Sequence, residues 1–452
     1  MEKVIFPTWS VQPQAEAIVK RYFRQALESC PEAAAFQQTI LEQCGVRLRD
    51  LLDHLVIPAS QTSAQELHNY GWQLDAHGLL RNTSGFFPTI TQGGAKVKVY
   101  FKVEFMADFV RALGITHPIY GKPFAPHRQV CVWKNEDVEF WAVQRNGTQA
   151  FEVDDPSDSY IQASRIHQQI FRSRRRQFDH DEEGFDHTDA LVQSAVGDIG
   201  RDVACDLFLR AEREYWMSRN YAGRVQKMRQ DKFGLGWANQ DHHTYDSSRE
   251  LFYRNIRVLE TLGFECRERF YAGADAGWGS QILEQPVLGS IIFTDIDLAP
   301  EELAGDFAHN PLEPLPYLRR AGLWTALHGE SMLQAGLNHL ECMFDQRVLR
   351  QQFQSLGIDM MVPFSNFKHL YQELTVGEWW PVNPKTVDAL EAKGLITQQQ
   401  AEDFRVNGAI GSHFENLERN DGYKGFNQPG IDDVLRVLDP RKNLLEVPNA
   451  LN

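Results

Sequence analysis

Short strand-like runs and helical segments in the second half of the chain recur in a fixed order. The first run, 240–245, precedes a segment with helical spacing at 247–261, then Leu262-Gly263 and a strand-like run at 266–271. A glycine directly after a helical segment is typical of a helix C-terminus, where the backbone turns left-handed. The order predicts a strand, a helix and a second strand.

The same order returns further along the chain. Its strand, helix and following strand are predicted at 337–340, 345–355 and 360–364. The spacing from His339 to Gly357 is 18 residues (357 − 339). The spacing from His242 to Gly263 is 21 residues (263 − 242). The difference is about one helical turn, so the two segments fit one plan with helices of unequal length.

More strands follow each copy, at 281–284 and 289–298 in the first and at 408–418 in the second, after a helical insertion at 368–405. The sequence therefore predicts an α+β protein with paired βαβββ modules in its C-terminal half. We place the first module at 233–330, the second at 331–452, and an additional N-terminal α+β domain with a charged helical segment at 1–232.

Within that N-terminal domain, helices and strands are predicted at 15–29, 33–55, 96–103, 129–133 and 138–143. The basic run 172–176 is followed by an acidic run at 179–183, which favours a solvated helix and loop over a nucleic-acid site. Asp295 and Asp297 alternate with apolar residues, which predicts a solvated strand face.

The composition and charge of the chain exclude several classes of binding partner. The 452 residues carry a formal net charge of −15, which repels phosphate backbones and anionic membranes, so we expect no nucleic acid and no membrane partner. The six cysteines are scattered, which disfavours a zinc ribbon or a disulfide framework. No signal-like or membrane-length apolar run is present. We expect a cytoplasmic protein that binds a small molecule, and the sequence is compatible with a homo-oligomer.

Imidazole and carboxylate side chains at the ends of repeated strands predict a mononuclear metal site. His339 and His242 occupy equivalent positions of the two copies, and His243 remains the alternative to His242 because neighbours on a strand face opposite sides. Glu415 on the last predicted strand is the candidate carboxylate, with Glu418 and His413 as rivals.

Three short motifs carry a resemblance to a known family. They are Asn338-His339-Leu340, the spacing to Gly357-Ile358, and the late segment that runs from Phe414-Glu415 to Arg419. The C-terminal part of the chain resembles the metal-dependent 2-oxoadipate dioxygenase/decarboxylase family, a branch of the glyoxalase-like vicinal oxygen chelate superfamily.

The resemblance implies a divalent metal, Fe(II), held by His242, His339 and Glu415. It implies an oxygenase that acts with O2 on a small 2-oxo acid or a related carboxylate. The family places an arginine four residues after each metal histidine, whereas this chain has Asp246 and Met343 there. The substrate is therefore expected to differ from 2-oxoadipate.

Three nearby arginines are the candidates to neutralise a substrate carboxylate: Arg249, Arg347 and Arg419. Two other functions stay open. The same module pair serves isomerases, epimerases and ring-cleaving dioxygenases, and the charged helices and the unassigned N-terminal domain favour a non-enzymatic binding protein.

Overall fold

The computed structural model describes residues 9–273 and 276–426. Its first part is a seven-stranded sheet flanked by helices, with the strand order β2-β3-β4-β1-β5-β7-β6. The elements in chain order are α1 (Pro13–Ser29), α2 (Pro31–Cys44), β1 (Leu52–Ile57), α3 (Ala64–Asn69), β2 (Gln73–Leu74), β3 (Leu80–Arg81), β4 (Thr89–Gln92), β5 (Val97–Lys102), α4 (Met106–Ala112), β6 (His127–Lys134) and β7 (Val138–Arg145).

Local sequence signals explain the helical start of this part. Proline opens both α1 and α2, where its missing N–H has no helical partner to lose. Gly45, at φ 72°, closes α2 in the left-handed conformation. The one or two helices predicted over 33–55 correspond to α2 and a short 3-10 helix at Leu48–Leu51, and the prediction is wrong only for the last residues, which belong to β1.

Four helices follow the first sheet: α5 (Asp158–Arg172), α6 (Asp181–Ile199), α7 (Arg201–Arg219) and α8 (Tyr221–Asp231). Gly200, at φ 83°, separates α6 from α7. The prediction that the basic run is solvated is wrong for Arg174 and Arg176. Both guanidinium groups are buried and donate to the buried Glu212 carboxylate of α7 at 2.8 and 2.5 Å.

The second sheet has the order β13-β14-β16-β12-β8-β11-β10-β9, with β15 paired to β16. Its elements and the helices between them are β8 (Gln240–Asp246), α9 (Phe252–Thr261), β9 (Glu265–Tyr271), β10 (Trp278–Gln285), β11 (Ser290–Asp297), α10 (Arg320–His328), β12 (His339–Met343), α11 (Gln346–Ser355), β13 (Ser365–Phe367), β14 (Leu370–Leu374), β15 (Glu378–Trp380), α12 (Pro384–Ala392), α13 (Gln398–Asn407) and β16 (Ala409–Arg419).

The strand pairing confirms the predicted pair of βαβββ modules. In the first module, β8 lies parallel to the last strand, β11, and in the second, β12 lies parallel to β16. The modules join edge to edge through antiparallel β8 and β12. The helical insertion predicted at 368–405 contains β15, α12 and α13. Its first residues are not helical but form strand β14. Residues 427–452 of the predicted second module lie outside the described residues.

The first sheet repeats this connectivity with one strand fewer in its second half, which the sequence did not reveal. Strand β1 lies parallel to β4 and antiparallel to β5, and β5 lies parallel to β7. Helices α3 and α4 each follow the first strand of a module. Even one irregularity recurs. The β1–β5 register skips Asp53, and the β8–β12 register skips Asp241. Both are β-bulges at the same point of the two sheets.

An aromatic cluster centred on Phe414 fastens the helices to the second sheet. The Phe414 ring on β16 lies 6.1 Å from Trp216 of α7 and 5.9 Å from Trp237, measured between ring centroids. It also lies 5.8 Å from both Phe344 and Phe353. Contacts of this kind hold β16 against both α7 and α11.

Phe414→Ala should destabilise the fold by about 3–5 kcal/mol, because it leaves a cavity among four aromatic rings. The measurement is chemical unfolding followed by circular dichroism. Val406→Ala on α13 is the control, since Val406 is 81% exposed. Equal unfolding curves for the two variants would contradict this role of Phe414.

Candidate metal centre

His242 is held by a bulge and a buried ion pair. The bulge at Asp241 brings its carboxylate Oδ1 within 2.7 Å of the His242 Nδ1. Arg419 donates to the same carboxylate through Nε and Nη2, at 2.7 and 2.9 Å. The ring therefore donates from Nδ1 and turns Nε2 towards the neighbouring strand.

His339 is held in the same way by an amide. Its Nδ1 lies 2.7 Å from the Asn338 Oδ1, and the Asn338 amide donates to Asp246 Oδ2 at 2.7 Å. An amide oxygen only accepts, so Nδ1 of His339 carries the proton. A neutral His339 ring then presents a lone pair at Nε2.

Both imidazoles point at Glu341, which is fully buried on β12. The Glu341 Oε1 lies 2.9 Å from Nε2 of His242 and 2.6 Å from Nε2 of His339. These contacts miss the angles of a hydrogen bond, and neither Glu341 oxygen accepts one of ordinary geometry from any residue that the structure describes. Lone pairs that face a carboxylate repel it unless a proton or a cation lies between them.

Glu415 on β16 adds a second carboxylate. It is buried opposite Glu341 in the β12–β16 register and accepts from the Gln372 amide at 2.9 Å. Burial and the adjacent Glu341 charge raise the pKa of Glu415 well above its ordinary value. Burial would lower the pKa of His242, but Glu341 and Asp241 outweigh it and raise that pKa.

The donor atoms fit a divalent cation. Ligand atoms of His242, Glu341 and Glu415 all lie within 4.8 Å of one another, and His339 contacts the same Glu341 oxygen. Imidazole nitrogens and carboxylate oxygens are ligands for iron, zinc, manganese and nickel. A cation would offset the buried carboxylate pair, which has no buried lysine or arginine among its direct contacts in the described ranges.

The donors open into a small cavity of about 80 Å³. Most of its apolar wall is aromatic and comes from Phe270, Trp278, Phe293, Phe364 and Phe426. The His242 ring lies 4.8 Å from Phe293 and 5.3 Å from Phe426, between centroids. The wall excludes water from one side of the donors and suits an apolar group.

Arg320 is the cation of this cavity, and the sequence reasoning missed it. Its Nη1 lies 2.9 Å from Asp295 and 3.3 Å from Asp246, and its guanidinium lies over the Trp278 ring. Burial raises the pKa of Asp246 to about 7, with Arg320 opposing this effect and Asp295 adding to it. The prediction of a solvated face is wrong, since Asp295 and Asp297 are both buried.

The three arginines predicted to grip a substrate lie outside the cavity wall. Arg419 is bound to Asp241, behind His242. Arg249 is bound to the Glu302 carboxylate at 2.6 Å, and Arg347 is exposed on α11. The structure therefore does not bring Arg249 and Arg347 to this centre, and their contact with a substrate stays a prediction.

The structure separates the alternatives that the sequence left open. His243 faces away from Glu341, and its Nε2 lies 3.4 Å from Arg213. His413 Nδ1 contacts the Thr375 carbonyl, and Glu418 pairs with Arg47 at 2.6 Å. His242, His339 and Glu415 are brought together, around a glutamate that was not predicted.

Glu341 had a detectable signal in the sequence. It lies two residues after His339, so the two side chains share one face of a strand. The repeat itself does not indicate Glu341, because the equivalent position of the first copy, two residues after His242, holds Thr244.

The first sheet repeats the Asp–His–Arg contacts of Asp241, His242 and Arg419 but has no counterpart of the Glu341 and Glu415 carboxylates. His54 Nδ1 contacts Asp53 at 2.7 Å, and Arg145 binds that carboxylate through two nitrogens, each at 2.7 Å. Tyr100 and Trp141 occupy the register positions of Glu341 and Glu415. Tyr100 stacks on His54 with centroids 3.8 Å apart, so aromatic rings fill this counterpart of the centre.

No family model and no curated protein matches the chain. Solved structures overlap parts of it. A protein from Shewanella frigidimarina NCIMB 400, provisionally described as a hydrolase, shares 13% identity at a TM-score of 0.34 and covers 49% of this chain and 97% of its own. A protein from Ralstonia eutropha JMP134, provisionally assigned to the glyoxalase superfamily, shares 14% sequence identity at a TM-score of 0.33. The overlap covers 49% of this chain and 84% of the Ralstonia chain.

Methylmalonyl-CoA epimerase from Mycobacterium tuberculosis shares 13% identity at a TM-score of 0.22, with 40% of this chain and 89% of its own covered. Because all three TM-scores are low, the glyoxalase-like fold is assigned from the strand order and pairing described above. Within the described ranges, no helix combines the length and apolar composition needed to cross a bilayer.

Arg320→Met should destabilise the protein by about 3–5 kcal/mol, because Asp246 and Asp295 would stay buried without their cation. The measurement is chemical unfolding in metal-free buffer. Arg319→Met is the matched control, since that guanidinium lies over Tyr317 and is only partly buried. A loss no larger than that of the control would argue against the Asp–Arg–Asp cluster.

Proposed function

We propose that the protein is a mononuclear Fe(II) dioxygenase that acts with O2 on a small 2-oxo acid. The observation that carries the proposal is the convergence of two oriented imidazoles and two buried carboxylates at an aromatic-lined cavity. The reaction class and the iron come from the family resemblance of the C-terminal motifs.

His242, Glu341 and Glu415 would hold the metal, with His339 as a further ligand beside Glu341. A bound Fe(II) ion supplies Lewis acidity and redox chemistry at this point. Asp241 and Asn338 keep both imidazoles in the tautomer that presents Nε2 to the ion.

The protein side chains also limit the substrate. The aromatic wall would bind an apolar side chain and exclude water from the reacting groups. Arg320 is already neutralised by two aspartates, so it would not bind a second substrate carboxylate strongly. We therefore favour a monocarboxylate with an apolar side chain over a dicarboxylate such as 2-oxoadipate.

One observation favours a second candidate function. Two histidines and two glutamates exceed the two-histidine, one-carboxylate set of non-haem iron oxygenases by one carboxylate. In an isomerase or epimerase, the additional carboxylate would move a proton between two substrate carbons. This function would also need the metal but would consume no O2.

The first test is metal binding by Glu341→Gln, measured by elemental analysis and by the thermal shift on adding Fe(II) without oxygen. Wild type should retain about one equivalent of metal and be stabilised by roughly 2–3 kcal/mol at a hundredfold excess over Kd. Glu341→Gln should bind at least about tenfold more weakly, because a buried anionic ligand is lost.

Tyr100→Phe is the matched control, since Tyr100 occupies the register position of Glu341 in the first sheet. It should bind metal like wild type. Less than about a tenth of an equivalent in wild type, without thermal stabilisation by Fe(II), would reject the metal centre.

The second test is O2 uptake by the iron-loaded protein with a panel of 2-oxo acids. We expect faster uptake with phenylpyruvate and 4-methyl-2-oxopentanoate than with 2-oxoadipate, because the cavity is aromatic and lacks a spare cation. His242→Ala should abolish uptake and His54→Ala, its counterpart in the first sheet, should retain it.

The outcomes of this panel discriminate between the functions. Substrate turnover without O2 uptake would reject the dioxygenase function in favour of the isomerase or epimerase function. If no compound turns over and His242→Ala leaves the metal content unchanged, the result favours a non-enzymatic binding protein.

A further inference from the structure

A space lined by many charged side chains lies between the two sheets, behind the candidate metal centre. It consists of two neighbouring cavities of about 250 and 540 Å³. Asp241 borders the smaller and Arg419 the larger, and Lys102 at the end of β5 lines both. Arg81 also lines both cavities, but it pairs with Asp75 at 2.9 Å.

Lys102 differs from its basic neighbours because it has no partner. Arg145 binds Asp53, Arg419 binds Asp241, and Lys424 binds Glu284. No hydrogen bond or ion pair joins the Lys102 ammonium to another residue within 9–273 or 276–426. Its side chain is partly buried, and burial lowers the pKa of Lys102 despite the nearby Asp53 charge.

The internal duplication supplies a comparison for this position. Lys102 lies two residues after Tyr100, and Met343 lies two residues after the register-equivalent Glu341. Met343 also lines the larger cavity. The two sheets thus share their Asp–His–Arg framework, but only the first adds an unpaired cation at this point.

The surrounding charge favours an anion. Basic side chains outnumber acidic ones by two along the wall of the larger cavity, in a chain of net charge −15. The same wall includes apolar side chains, among them Phe86 and Leu52. An isolated ammonium in such a space is unfavourable, and a bound anion would remove that penalty.

We propose that the cavity at Lys102 binds a small organic anion, with its carboxylate or phosphate on the Lys102 ammonium and its apolar part against Phe86 and Leu52. This site is separate from the metal centre and does not depend on the activity proposed above. Lysine acts on either head group as a point charge, so the chemistry of the head group is left to the test.

The test is calorimetric titration of chelator-treated, metal-free protein with hexanoate and with hexyl phosphate, at constant ionic strength. Saturable binding of one molecule per chain is expected for at least one of the two probes. Lys102→Met, which installs the residue found at Met343, should weaken it at least tenfold. Without a probe, this variant should melt no lower than wild type, because an unpaired charge is removed.

Two controls make the result specific. Lys122→Met, at an exposed lysine that pairs with Asp158, should bind the probe like wild type. Glu341→Gln should also bind it normally, which separates this cavity from the metal centre. Lys102→Gln provides a second variant if Lys102→Met folds poorly.

Unchanged binding in both Lys102 variants would overturn the proposal. Absence of binding of both probes to wild type at millimolar concentration would overturn it as well. Tighter binding of hexanoate would identify a carboxylate ligand, and tighter binding of hexyl phosphate a phosphate ligand.

Discussion

The buried contact between Arg419 and Asp241 is the constraint on which the candidate centre depends. Neighbouring side chains on a regular strand face opposite sides, and the strand that holds Asp241 and His242 is bulged at Asp241. The bulge brings the carboxylate to the ring, and Arg419 neutralises the carboxylate. Breaking such a buried pair costs about 3–5 kcal/mol, so the orientation of His242 is tied to the stability of the sheet.

Comparison of the two sheets distinguishes the role of the Asp–His–Arg contacts from the role of the candidate metal ligands. Asp53, His54 and Arg145 repeat the same contacts in a sheet where the carboxylates are replaced by aromatic rings. The framework therefore serves strand pairing in both halves of the chain. The second sheet differs by Glu341 and Glu415 and by His339, since Lys98 takes the position of His339 in the first sheet. These three residues turn a structural arrangement into a cluster of metal-ligand type.

The sequence was informative where elements are long and regular. Helices α9 and α11, each closed by a glycine, exposed the C-terminal repeat and the equivalence of His242 and His339. The modules of the first sheet escaped detection because α3 has six residues, and β2 and β3 have two each, too few for periodicity to register.

Long-range pairing was beyond the sequence for a different reason. Asp241 and Arg419 are 178 residues apart, and nothing local to either indicates the partner. Asp295 was assigned to a solvated face because alternation marks a polar side of a strand but does not tell water from a buried arginine. The buried charge clusters are therefore the part of this site that the sequence does not reveal and that only the three-dimensional structure shows.

Strand β8 separates the aromatic cavity at the candidate centre from the space between the two sheets. His242 faces the aromatic cavity, while Asp241, the next residue, borders the space between the sheets. A molecule that perturbs the Asp241–Arg419 contact from behind would change the affinity of the centre for its metal. Thermodynamic linkage then requires the metal to change the affinity for that molecule by the same factor.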